Sequence, residues 1–69
     1  MKATKKVNFE NYPIGTKIQS LDKDGYYVMN ACGVIAKHLG GGHAVIKTFQ
    51  GGYYSSVGLF KVFEIEKLN

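Results

Sequence analysis

The sequence predicts a mostly β domain, either a small barrel or a strongly bent five-stranded antiparallel sheet. Three observations carry that expectation. Glycines punctuate the second half at Gly40-Gly41-Gly42 and at Gly51-Gly52, where turns between short apolar runs belong. Between them, His43 to Phe49 (HAVIKTF) is rich in β-branched residues and has the length of one strand. The closing segment alternates, with Phe63 and Ile65 on one face and Glu64 and Glu66 on the other.

The first strand follows a turn signal, Pro13-Ile14-Gly15, and runs through TKIQSL with Ile18 as its inward residue. Asp22-Lys23-Asp24-Gly25 then reads as a polar turn. The stretch Tyr26 to Leu39 is ambiguous. Val28, Cys32, Ile35 and Leu39 lie at spacings of four, three and four, one face of a helix. Asp24 would cap such a helix, Lys37 and His38 would sit in its last turn, and Gly40 would follow it. Against the helix stands Gly33 in its middle, which costs about 1 kcal/mol there. In the strand reading, Gly33 to Leu39 matches HAVIKTF in length and the three glycines form a hairpin turn. The hairpin is the favoured reading. The alternative is an α+β fold with a helix at about 26–39 on a three-stranded meander. HAVIKTF, YYSSV and LFKVFEIE read as that meander, with one further strand before it. Residues 1–12 read as a basic N-terminal arm, and 13–69 as a single small β-rich domain.

The chain has 69 residues, which allows one small domain with a marginal core. A deep substrate pocket would hollow out much of such an interior. Hydrophobic residues make up 45% of the chain and charged residues 20%, which argues for a folded domain. The single cysteine, Cys32, excludes an internal disulfide. No C-x-x-C or H-x-x-x-H spacing supports a structural zinc site, so no metal or cofactor is expected. MKATKKVNFENYP does not resemble a signal peptide, and the longest apolar run, Ala31 to Ala36, is far short of a membrane span. A reducing cytoplasm and no membrane partner are the expectations.

Charge is uneven along the chain. The net charge of +4 comes entirely from Lys, with no Arg. Lys2, Lys5 and Lys6 crowd the N-terminus, while no Asp or Glu occurs from Gly25 to Phe63. An acid-free block attracts polyanions or acidic protein faces. Missing Arg weighs against bidentate base reading.

The turn and strand pattern from residue 13 to 66 resembles the small SH3-like barrels, including Tudor-like and KOW-type domains. Gly15 and Ile18 match the opening strand of that pattern, and Gly33, Val34 and Ile35 match the second. Val45 or Ile46 matches the third, and Val62, Phe63 and Ile65 the last. The aromatic signature of peptide-binding SH3 domains is absent, and there is no Trp. The resemblance therefore implies a binding module and names no ligand.

Cys32 beside His38 or His43 is not a nucleophile and base on this evidence, because no orienting group or oxyanion hole accompanies them. Cys32 reads as a buried core residue, and the two histidines as exposed residues flanking the glycine turn and facing each other across it. The three glycines offer an anion nest, but the P-loop sequence is missing, so a flexible hairpin turn is expected. The tyrosine pairs say more. Each of Tyr26-Tyr27 and Tyr53-Tyr54 sends its rings to opposite faces of an extended chain, so at most one ring of each pair is expected in the core and the other outside. With Lys37, His43 and Lys47 these tyrosines form the candidate partner-binding surface, aromatic and free of acids. The expectation is a non-enzymatic adaptor or inhibitor-type module that docks on a larger protein. Chains of this kind are common among phage-encoded and mobile-element proteins. The alternative is a nucleic-acid binder using Lys–phosphate contacts and Tyr stacking. Self-association through an edge strand is a third possibility raised by the short strands.

Overall fold

A computed structural model of the chain describes residues 7–57 and 62–68. Five strands, β1 (Lys17–Leu21), β2 (Gly33–Gly40), β3 (His43–Thr48), β4 (Tyr53–Ser55) and β5 (Glu64–Lys67), form one antiparallel sheet. Their order across the sheet is β4-β3-β2-β1-β5. The mostly β, five-stranded antiparallel arrangement is the one expected. The barrel is not: β4 and β5 end the sheet on opposite sides, and among the described residues no ladder joins them.

No α-helix occurs among the described residues, which corrects the alternative helix at 26–39. Only Met29–Ala31 winds, as one short 3-10 turn, and β2 begins at Gly33. The reason lies at Gly33. It pairs with Ile18 of β1 on one side and with Thr48 of β3 on the other. A Cβ at this position would run into the Lys47 carbonyl, so the close approach of two backbones needs a residue without a side chain. The helical face also fails on burial. Ile35 is fully buried, but Leu39 is 43% exposed, because a strand sends them to different surroundings.

The predicted meander of HAVIKTF, YYSSV and LFKVFEIE is corrected at its last member, of which residues 59–61 lie outside the described residues. β3 and β4 are joined by a tight turn and pair, whereas β5 returns to the far side of β1. Lys17, Gln19 and Leu21 turn their backbone groups away from β2, and β5 satisfies them. Leu68 N–H donates to the Lys17 carbonyl at 2.8 Å, and Phe63 N–H to that of Leu21 at 2.8 Å.

The β2–β3 hairpin closes through Gly41-Gly42, whose φ values of 64° and 86° are the positive pair that a two-residue hairpin turn demands. Before β1, Thr16 N–H donates to the Pro13 carbonyl at 3.1 Å, the expected turn. After β1, Asp22 organises the polar turn: its Oδ1 accepts from Asp24 N–H and Tyr26 N–H, each at 2.9 Å.

The core is built from Phe9, Ile18, Ala31, Ile35, Ala44, Ile46 and Val62, with Val7, Tyr12, Val28 and Ile65 packed against it. Ile18, Ile35 and Ile46 come from the three central strands and are fully buried. Full burial of each contributes about 1.5–3 kcal/mol. Residues 1–6 of the proposed basic arm, with its three lysines, lie outside the described residues. From Val7 onward the chain packs on the sheet, and Phe9 N–H donates to the Gly42 carbonyl at 2.8 Å.

Ile35→Ala is expected to lower stability by about 2–5 kcal/mol, read as a fall in the urea midpoint with little change in slope. Gly33→Ala is expected to unfold the domain outright, read as loss of the β circular-dichroism signal at room temperature.

Candidate functional site

Residues paired directly across a ladder share a face of the sheet. Since Ile18, Ile35 and Ile46 face the core, the row Lys17–Val34–Lys47–Tyr53, running from β1 to β4, faces outward. The next row toward the hairpin tip is Lys37–Val45–Ser55. Lys37 reaches this face through an irregularity. Simple alternation from Ile35 would turn it inward, but the register shifts between Ile35 and Lys37. Within the upper row, the Lys47 ammonium lies 5.9 Å from the centre of the Tyr53 ring, a cation–π contact worth about 0.5–1 kcal/mol at an exposed site.

The acids of the described residues stand elsewhere. Glu64 and Glu66 project from β5 at the opposite end of the sheet, paired with Leu21 and Gln19. The outer face is thus basic toward β4 and acidic toward β5.

The glycine turn holds an anion, and the chain itself supplies it. Glu10 Oε2 accepts from Gly40 N–H at 2.7 Å, and Oε1 accepts from Gly42 N–H at 3.0 Å. Glu10 belongs to the short 3-10 turn Phe9–Asn11, which Asn8 caps by accepting from Glu10 N–H at 2.9 Å. The hairpin tip is therefore clamped by the N-terminal segment rather than left as a free loop.

Both histidines correct the expectation of exposed, mutually facing rings. His38 pairs with Ala44, and its Nε2 donates to the Tyr12 carbonyl at 2.7 Å. His43 pairs with Gly40, and its Nδ1 lies 3.0 Å from Ser56 Oγ. Each ring is half-buried. The ladder register puts His38 on the face of Ala44 and leaves His43 on the other. Ser56 is buried and its Oγ also accepts from Ala44 N–H at 2.9 Å, which ties the end of β4 to the start of β3.

Cys32 is a buried core residue, as expected. Its thiol sits 3.3 Å from the Val28 carbonyl and accepts from Ser20 N–H at 3.4 Å, and neither imidazole partners it. Ser20, fully buried, donates its hydroxyl to the Ala31 carbonyl at 2.7 Å. Among the described residues, every buried side-chain nitrogen or oxygen has a hydrogen-bond partner, and no three His, Cys, Asp or Glu side chains gather as metal ligands.

The tyrosines fall within the expected limit of at most one core ring per pair. Neither ring of either pair enters the core: Tyr26 is 72% exposed, Tyr27 55%, Tyr53 64% and Tyr54 45%. Tyr54 does take the core-side face, opposite Ile46, but β4 is the sheet's last strand and the ring stays exposed. It rests instead over Gly52, where an added Cβ would meet its Cε2 at 3.4 Å. Tyr26 and Tyr27 leave the Asp22 turn, and Tyr27 forms a single bridge with Leu21 beyond the start of β2. Along the sheet, β1 and β4 are three strand spacings apart, about 14 Å. The structure thus groups Lys37, Lys47 and Tyr53 on one face, with Tyr54 behind its edge and His43 near its lower end. It sets Tyr26 and Tyr27 apart, at the end of the sheet.

Two exposed residues extend this surface beyond the sequence reading. Phe49, placed there within a strand, lies in the β3–β4 turn and is 54% exposed. Its N–H donates to the Cys32 carbonyl at 3.2 Å, which sets it beside the Met29–Ala31 turn, where Met29 is 52% exposed. The signal was parity: if Lys47 faces outward, so does the residue two places on.

No family model matches the chain, and no curated protein or solved structure matches it.

Glu10→Ala removes the anion from the glycine turn. The Gly40 and Gly42 amides are then expected to exchange about five- to tenfold faster by NMR hydrogen exchange, while the central amides of Ile35 and Ile46 change little.

Proposed function

We propose that this chain is a non-enzymatic binding module, a small adaptor or inhibitor-type protein that docks on an acidic surface of a larger protein. The observation that carries the reading is the outer face of β3 and β4, where Lys47 and Tyr53 stand in contact beside Lys37 with no acidic side chain between them. Tyr53 supplies a large apolar ring with a polar tip, and the lysines supply steering and charge complementarity. His43 and Tyr54 border this face, and Tyr26 and Tyr27 make a second aromatic contact beside the Asp22 turn. The strand connectivity supports the SH3-like resemblance in an opened form: four strands neighbour one another in chain order, and the last returns beside the first.

A second reading, nucleic-acid binding, draws on one observation. Tyr53 and Phe49 are exposed aromatics next to Lys47, which suits stacking of unpaired bases beside a phosphate contact. The small number of lysines on the face favours the protein partner.

Affinity capture from nuclease-treated lysate, read by mass spectrometry, tests the first reading. Lys47→Glu combined with Tyr53→Ala is expected to remove the specific partner while the circular-dichroism spectrum stays unchanged. The same partners recovered at the same yield with this variant would refute it. Fluorescence polarisation with single- and double-stranded oligonucleotides at about 50 mM salt tests the second. No binding is expected at high micromolar protein, whereas binding that collapses by orders of magnitude as salt rises would establish it.

A further inference from the structure

We propose that the open edge of β4 accepts an extended acidic segment of the partner as a sixth, antiparallel strand. The inference rests on the docking reading above and specifies how the partner is held. On the ladder between β3 and β4, Thr48 N–H donates to the Gly52 carbonyl at 2.7 Å and Ser56 N–H donates to the Ala44 carbonyl at 2.9 Å. Alternation puts the intervening bonded pair at Ile46 and Tyr54. Tyr53 and Ser55 therefore turn their N–H and C=O groups away from β3, and among the described residues no strand takes them.

The two ends of the sheet are not equivalent. β5 carries charge at every second position outward, Glu64 and Glu66, and Lys67 lies on its core-side face opposite Ile18. An inward-pointing charge of that kind discourages further strand pairing. β4 consists of Tyr53, Tyr54 and Ser55, with no charge, no proline and no register shift against β3. It is the unguarded edge.

Charge selects the occupant. On an added strand, the residue opposite Tyr53 shares the outer face with Lys47, about 10 Å away across two strand spacings, and the residue opposite Ser55 shares it with Lys37, about 14 Å away across three. The shorter separation suits Lys47 and a Glu side chain reaching toward each other, while Lys37 adds a longer-range attraction. The added-strand residue between those two positions falls beside the Tyr54 ring. The matching segment is acidic, apolar, acidic over three residues, held by four backbone hydrogen bonds. The chain's own Glu64-Ile65-Glu66 has this pattern, so a second copy is the rival occupant. β4 and β5 run in the same direction, however, and extending the sheet from copy to copy would pair them in parallel, the weaker ladder.

The test titrates the isotope-labelled full chain with a capped nine-residue peptide alternating Glu and Val, at about 50 mM salt. The Tyr53 and Ser55 amides are expected to shift and to exchange more slowly. Ser55→Pro deletes an outward N–H that β3 does not use and is expected to weaken binding about tenfold or more, whereas Ser55→Ala preserves it. A peptide N-methylated at its bonding amides checks the same point without altering the chain, and should bind about tenfold more weakly or worse. The Gln-for-Glu peptide should bind comparably weakly. If Lys47→Glu abolishes binding while Ser55→Pro and the methylated peptide behave as their parents do, strand addition is overturned and surface docking stands. An unperturbed Tyr53–Ser55 edge at millimolar peptide overturns it as well. So does sedimentation of the free chain as a dimer or larger species that Ser55→Pro reduces to monomer, since the edge then belongs to a second copy.

Discussion

Three strands meet at Gly33, and the rest of the sheet is arranged around that meeting. β1 and β3 approach β2 from its two sides at this residue, and the Lys47 carbonyl occupies the space that a side chain would need. From this point the registers follow. Ile18, Ile35 and Ile46 fall on one face and close the core, and the lysines that alternate with them fall on the other. A glycine that looks like a weakness in a helix is here a requirement of the sheet. The same residue explains why the helical spacing of Val28, Cys32, Ile35 and Leu39 is not realised, since only contacts with distant strands reward the extended form.

A domain this small has few ways of hiding its loose ends, and it uses several of them together. The N-terminal segment contributes Phe9 to the core and Glu10 to the glycine turn, so one short stretch both packs and pins the hairpin. Ser56 ties the end of β4 to the start of β3, and Asp22 ties the turn after β1. These are side-chain oxygens meeting backbone N–H groups that irregular structure leaves without a ladder partner. They keep the turns fixed where the core is too thin to do so.

The outer face gains its character from the same geometry. Core packing dictates which residues alternate outward, and the register shift at Ala36 moves Lys37 across to join Lys47. Acids are excluded from the β4 side because the two that project from the sheet belong to β5, which the chain carries to the opposite end. The result is a polarised surface whose basic end coincides with the short, uncharged edge strand β4.

Much of the architecture was legible along the chain. The glycine pairs and triplets marked the hairpins, the β-branched run marked β3, Ile18 was rightly placed inward, and the alternation of β5 set Ile65 in and the glutamates out. These features are local: turn geometry and side-chain parity depend on neighbours in sequence. The basic, acid-free block was equally plain, because charge can be counted. What only the tertiary structure decided was which strands become neighbours and which residues the last strand leaves uncovered. Sequence spacing does not reveal that β5 returns to β1, that a bulge reverses the facing of Lys37, or that Tyr54 points coreward yet stays exposed. Those outcomes rest on contacts between residues far apart in the chain, where pairing and burial are settled together.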